Sequence, residues 1–184
     1  MKYLLGIFII VFFAGCSVKY ETNREAPIKK VFVQAINNLQ NDIEKLSPLI
    51  DKTEAKEVAS LAILHSQFLA NEYDLVSPPL YHNSLVQMGL RKRGLCFHFA
   101  EDLIHKLKDL NLETLDLRWV VHDKAQYWEH SSIVLSAKGQ PINKGIILDA
   151  WRNSGKLYWN NFDKDTRYTW IEDLTRSKYY GTIQ

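Results

Sequence analysis

From residue 28 to about residue 46, the apolar positions Val31, Phe32, Ala35, Ile36, Leu39, Ile43 and Leu46 recur three and four apart. That is the period of a helix with one buried face. After Pro48 the same spacing resumes between about Lys52 and Asn71, through Val58, Leu61, Ala62, Leu64, Phe68 and Leu69, and predicts a second helix with His65 packing at the edge of its apolar face. Ser77-Pro78-Pro79 closes this half, because a residue before proline is pushed out of the helical region. Residues 81–89 fit a short third helix ahead of Gly94. A fourth helix opens at Cys96, with Phe99, Ala100, Leu103, Ile104, Leu107 and Leu110 as its core stripe and His98 and His105 on the solvent side.

Beyond Leu112 the period changes to two. Leu115, Leu117, Trp119 and Val121 alternate with Asp116, Arg118, Val120 and His122, the signature of a strand. Residues 128–136 and 145–151 read as two more strands joined through Lys138-Gly139-Gln140-Pro141. Asn153-Ser154-Gly155 turns the chain into a fourth strand at 156–159, and a further strand or turn falls near 167–171. The order of periods predicts an α+β fold: N-terminal helices and a cysteine-bearing helix packed on an antiparallel sheet, as a single domain over residues 27–184.

The first residues change the setting. Lys2, an apolar run from Leu4 to Phe13 and the small Ala14 and Gly15 before Cys16 have the layout of an export signal. The run is shorter than the about 20 apolar residues a spanning helix needs, which favours cleavage over retention. Phe13-Ala14-Gly15-Cys16 resembles a bacterial lipobox, with Phe13 where leucine is usual. The resemblance implies a signal peptide over 1–15, lipidation of Cys16, a tether over 16–26, and a lipid-anchored envelope protein. By the same resemblance, Ser17 after the cysteine implies the outer membrane, facing the periplasm.

Charge narrows the partners. Lys plus Arg is 23 against 21 for Asp plus Glu, a balance that supplies no field for nucleic acid. The chain has two cysteines. With Cys16 acylated, Cys96 is left as a free thiol in an oxidising compartment.

A cysteine at a helix start sits among unpaired amide groups and the positive end of the macrodipole, which favour an anion there and can also hold an oxyanion. A nucleophilic thiol needs an imidazole, and the imidazole an orienting acceptor. If the strands around Lys138 to Pro141 pair about a centre between Gly139 and Gln140, His130 falls directly opposite Asp149, with Cβ atoms about 4.5 to 5.5 Å apart. Trp128 and Trp151 each lie two residues from one of these on its strand, share its face and can wall a cleft. Asn83 and Gln87, upstream of Cys96, are candidate oxyanion donors. His122 with Asp123 is a rival pair, in a segment that reads as the loop between strands.

With Gly94-Leu95-Cys96 and Ala100 at a helix start, then His130 in EHSSIVL and Asp149 in ILDAW, residues 81–159 resemble the transglutaminase-like branch of the papain-like cysteine fold. The resemblance implies Cys96 as nucleophile, His130 as general base and acid, and Asp149 as the group that orients the imidazole. Ser131-Ser132 after His130 departs from the pattern, in which many members carry an aromatic two positions on.

The expected activity is a cysteine hydrolase or acyltransferase working through a thioester, on peptides, protein side-chain amides or peptidoglycan cross-links, without cofactor. Asp163 and Asp165 read as turn residues, and no metal is expected. A non-catalytic lipoprotein using the same fold as a binding or assembly module is the alternative.

Overall fold

The computed structural model describes residues 25–180. The signal peptide, Cys16 and most of the expected tether lie outside these residues. The chain folds as α1 (Glu25–Glu44), α2 (Lys52–Glu72), α3 (Pro79–Gln87), α4 (Cys96–Lys108), β1 (Leu115–His122), β2 (His130–Ala137), β3 (Ile146–Asp149), β4 (Tyr158–Asn161), β5 (Ile171–Glu172) and α5 (Leu174–Tyr179). The α+β class read from the periods is therefore the class observed. Helix α1 begins at Glu25, so the last residues assigned to the tether are helical. Among the described residues, no helix is long and apolar enough to cross a membrane.

Local chemistry sets the helix starts. Asp51 caps α2, its side chain accepting from the Thr53 and Glu54 amides at 2.8 and 2.9 Å. Pro79 opens α3, where its missing N–H costs nothing. Helix α4 follows Leu95, a residue with no capping group. Nδ1 of His98 serves instead, accepting from the Leu95 and Gly94 amides at 3.2 and 3.1 Å. The half-buried His98 is thus not the surface residue the helical pattern suggested.

The sheet has the order β4-β3-β2-β1-β5, antiparallel throughout. Phe99, Leu103 and Leu107 of α4 pack with Trp119, Ile133 and Leu148 of the sheet and with Leu39, Val58 and Ala62 of α1 and α2 in one apolar core. Val120, Val134, Ile147 and Trp170 form a second, smaller cluster on the other face. Strand β2, central and covered on both sides, is buried at every position, which explains its run of small and apolar residues.

The loop before Cys96 is held from α3. His82 is fully buried; its Nδ1 accepts from the Val76 amide at 3.2 Å and its Nε2 donates to the Arg93 carbonyl at 2.9 Å. Gly94 lies against that ring with φ +119, and a Cβ there would overlap the imidazole. Gly94→Ala is expected to destabilise the protein by about 1–3 kcal/mol from backbone strain alone. It should also displace the start of α4. Urea denaturation checks the first effect, and the alkylation rate of Cys96 the second.

Candidate active site

Cys96 is the first residue of α4 and half-buried. Its Sγ lies 3.8 Å from the carbonyl of Glu129, the residue that leads into β2, so the helix start meets the beginning of the central strand. His130, 3% exposed, is the first residue of β2, and Asp149, 2% exposed, the last of β3. Nε2 of His130 and Oδ2 of Asp149 are 2.7 Å apart.

That contact is made in a different register from the one expected. Ile133 pairs with Leu148, Val134 with Ile147 and Leu135 with Ile146, which moves the centre of the hairpin by one position and each partner by two. His130 and Asp149 are therefore diagonal neighbours, with Asp149 level with Ser132. The cause is the connection: a 3₁₀ turn at Ile142–Lys144 lengthens it on the β3 side. A shift of two keeps every side chain on its face, and diagonal neighbours remain within reach of a long side chain such as histidine.

Asp149 is held from several directions. Its Oδ1 accepts from the Trp151 and Arg152 amides, both at 3.0 Å, and its Oδ2 from Nε of Arg152 at 3.0 Å as well as from His130. The Arg152 guanidinium then donates to both oxygens of Asp165, at 3.0 and 2.6 Å, and Asp165 accepts from Nε1 of Trp170 at 2.9 Å. Asp165, expected as a turn residue, is instead buried at the end of a chain of charges running through Arg152 and Asp149 to His130. Sequence spacing gives no sign of this pairing, since Arg152 and Asp165 lie thirteen positions apart on either side of a strand.

Burial alone would push the His130 imidazole down. The Asp149 charge, its hydrogen bond and the interaction with Cys96 outweigh it and hold His130 at about 9. Burial would raise the Asp149 carboxyl, but His130 and Arg152 bring it to about 2. The other ring nitrogen of His130, Nδ1, is buried, and among the described residues it has no partner beyond the Cys96 thiol. Such an atom is costly in a folded protein, and a reacting partner is one way to offset the cost. Trp151, Tyr168 and Trp170 surround the ring with centroids 4.9, 4.5 and 5.3 Å away.

An imidazole of about 6.5 in the unfolded chain and about 9 in the folded one contributes stability that is complete below pH 6.5 and lost as pH rises through 9. Wild-type protein is therefore expected to be more stable at pH 6 than at pH 9.5 by on the order of 3 kcal/mol from this group. Urea midpoints at the two pH values, with His130→Gln lacking that part of the difference, check it. The Asp149 contribution is present above about pH 3.9 and is lost only as pH falls towards 2.

A cleft of about 470 Å³ opens over Cys96 and His130, lined also by Asn83, Gln87, Trp128 and Trp151. Trp128 and Trp151 line it from turns outside the strands, not from the strands themselves. Trp128 is 67% exposed at the rim, stacked edge-on with Tyr127, while Trp151 is buried. The two upstream amides differ. Nε1 of Trp151 donates to Oδ1 of Asn83 at 3.1 Å, and because an indole only donates, this fixes which way the Asn83 amide faces; its NH₂ has no hydrogen-bond partner among the described residues. Gln87 is exposed at the rim, with no hydrogen bond of its own among the described residues. The rival His122, the last residue of β1, lies 3.3 Å from Asp123, is hydrogen-bonded to the Thr169 backbone and lines the same cleft as Cys96.

Among the described residues, no group of three His, Cys, Asp or Glu side chains is placed to hold a metal ion. Compared with protein-family models, curated proteins and solved structures, the chain matches none.

Proposed function

We propose that Cys96, His130 and Asp149 are the working groups of a cysteine hydrolase or acyltransferase of transglutaminase-like kind, carried on a lipid-anchored protein of the bacterial envelope and acting on amides of peptides, proteins or peptidoglycan. The observation that carries this reading is the His130 ring: Nε2 tied to Asp149 at 2.7 Å, and Nδ1 buried with the Cys96 thiol as its one neighbour for a proton among the described residues.

In this reading Nδ1 takes the thiol proton, and the sulfur attacks the carbonyl carbon of the substrate. The oxyanion that forms is met by backbone amides at the start of α4 and by the NH₂ of Asn83, whose Oδ1 is taken by Trp151. The intermediate collapses to a thioester as His130 returns the proton to the leaving amine. Water or a second amine then resolves the thioester, with His130 accepting its proton, and the thiol is restored. Asp149 keeps Nε2 protonated and supports the imidazolium; Arg152 and Asp165 keep Asp149 in place.

A second reading, the same fold serving as a binding or assembly module, draws on the direction of the thiol, which bonds to the Glu129 carbonyl. Acyl capture separates the two. Full-length protein incubated with p-nitrophenyl acetate is expected to yield an acetyl adduct on the peptide containing Cys96, absent from Cys96→Ala. Failure of the folded wild-type protein to acquire that adduct leaves the binding module as the better reading.

A further inference from the structure

The charges that line the cleft are almost all satisfied within the chain. Glu129 accepts from Nη1 of Arg176 at 2.8 Å and from the Ala125 amide at 2.7 Å. His130 is joined to Asp149, and His122 to Asp123 and the Thr169 backbone. Arg167 differs. It lines the same cleft as Cys96, and among the described residues its guanidinium makes no ion pair or hydrogen bond; its head lies 5.4 Å from the centre of the Tyr168 ring.

The neighbouring acid cannot serve it. Both oxygens of Asp165 are occupied by Arg152, and Trp170 shares one of them. What Asp165 does for Arg167 is accept its backbone N–H at 3.3 Å, which fixes the chain from which the side chain extends. The result is a fixed-charge group with a planar set of donors in the cleft over the nucleophile, resting on an aromatic face and lacking an anion. A guanidinium so presented matches a carboxylate with two parallel hydrogen bonds. Trp128 and Tyr127 at the rim offer apolar surface to the rest of such a ligand.

We propose that Arg167 recognises a carboxylate on the substrate, so that the acyl donor is a peptide bearing an acidic group close to the amide that reacts. This inference rests on the reading of Cys96 as the nucleophile. The carboxylate comes either from an acidic side chain or from a free chain terminus.

The test uses full-length protein and two alkylating reagents of nearly equal size, iodoacetate and iodoacetamide, with the modification read on the Cys96 peptide by mass spectrometry. Because Arg167 is exposed, the ratio of the two rates, anion over neutral, is expected to fall about two- to fivefold in Arg167→Gln, the range of an exposed ion pair. Arg167→Lys, which keeps the charge, should restore most of it.

Protection of Cys96 from iodoacetamide then identifies the source. An N-acetylated, C-amidated peptide containing glutamate and a neutral peptide ending in a free carboxylate are compared with a fully capped neutral peptide. Protection by either acidic peptide, lost in Arg167→Gln, supports the assignment and tells side chain from terminus. An unchanged reagent ratio in Arg167→Gln, or equal protection by the capped neutral peptide, overturns it while leaving the nucleophile in place. A Cys96 that reacts with neither reagent in the folded wild-type protein removes both this inference and the reading beneath it.

Discussion

Replacing His130 with alanine is expected to slow acylation of Cys96 about 10²- to 10⁴-fold, the range that a positioned general base contributes. The loss follows from geometry: Nδ1 is the basic atom beside the thiol, and Nε2 is committed to Asp149 at 2.7 Å. Acetyl capture from p-nitrophenyl acetate, followed in time by mass spectrometry at a fixed pH of 7, measures it. Asp149→Asn should fall between wild type and His130→Ala, because the imidazole remains but loses the charge that fixes its tautomer and supports its protonated form. Circular dichroism of each variant separates a catalytic loss from a failure to fold.

The second large effect concerns stability. Arg152→Leu is expected to cost about 3–5 kcal/mol, since removing one member of a buried charge network leaves the others uncompensated. Here two carboxylates, Asp149 and Asp165, are 2% and 6% exposed and both depend on the same guanidinium. The Arg152 head is also stacked 3.8 Å from the Tyr158 ring centre and 4.7 Å from that of Tyr168, contacts that a leucine reproduces only in part. Equilibrium urea unfolding measures the cost. Asp165→Asn should cost less, because the amide oxygen still accepts from Arg152 or Trp170, and it should slow acyl capture less than Asp149→Asn.

Much of the fold is legible in the alternation of apolar and polar residues where an element buries one continuous face; in α1 and α2 the pattern overreached, since Val31, Leu64 and Phe68 are exposed. The stripe from Phe99 to Leu107 in α4 and the alternation from Leu115 to Val121 in β1 are of this kind, and both are buried as their periods indicate. Strand boundaries were less legible where turns decide them. The fourth strand starts at Tyr158, two residues later than its apolar pattern implied, after the turn through Gly155. The hairpin centre moved because the segment Ile142–Lys144 forms a 3₁₀ turn, which no dipeptide in the connection signals.

The site shows the same division. Cys96, His130 and Asp149 share a neighbourhood that depends on helix position and strand face, and faces survive a register shift of two. Arg152, Asp165 and Arg167 depend on how the turns after β3 and β4 close, and Asp165 in isolation reads as one half of an unremarkable acidic turn. The capping role of His98 was hidden for a related reason: histidine is not a usual partner for a helix start, and only the path of the chain through Gly94 brings two amides onto its ring.

The pairing of Cys96 with His130 is most directly tested by the pH dependence of Cys96 alkylation by iodoacetamide in the full-length protein, wild type beside His130→Ala, with the adduct located by mass spectrometry. The account predicts that the wild-type rate stays high at pH 6, where an ordinary thiol with a pKa of about 8.5 is almost wholly protonated. The variant should lose this acidic reaction. Two identical profiles, both rising only above pH 8, would contradict the account and return Cys96 to the role of a structural cysteine.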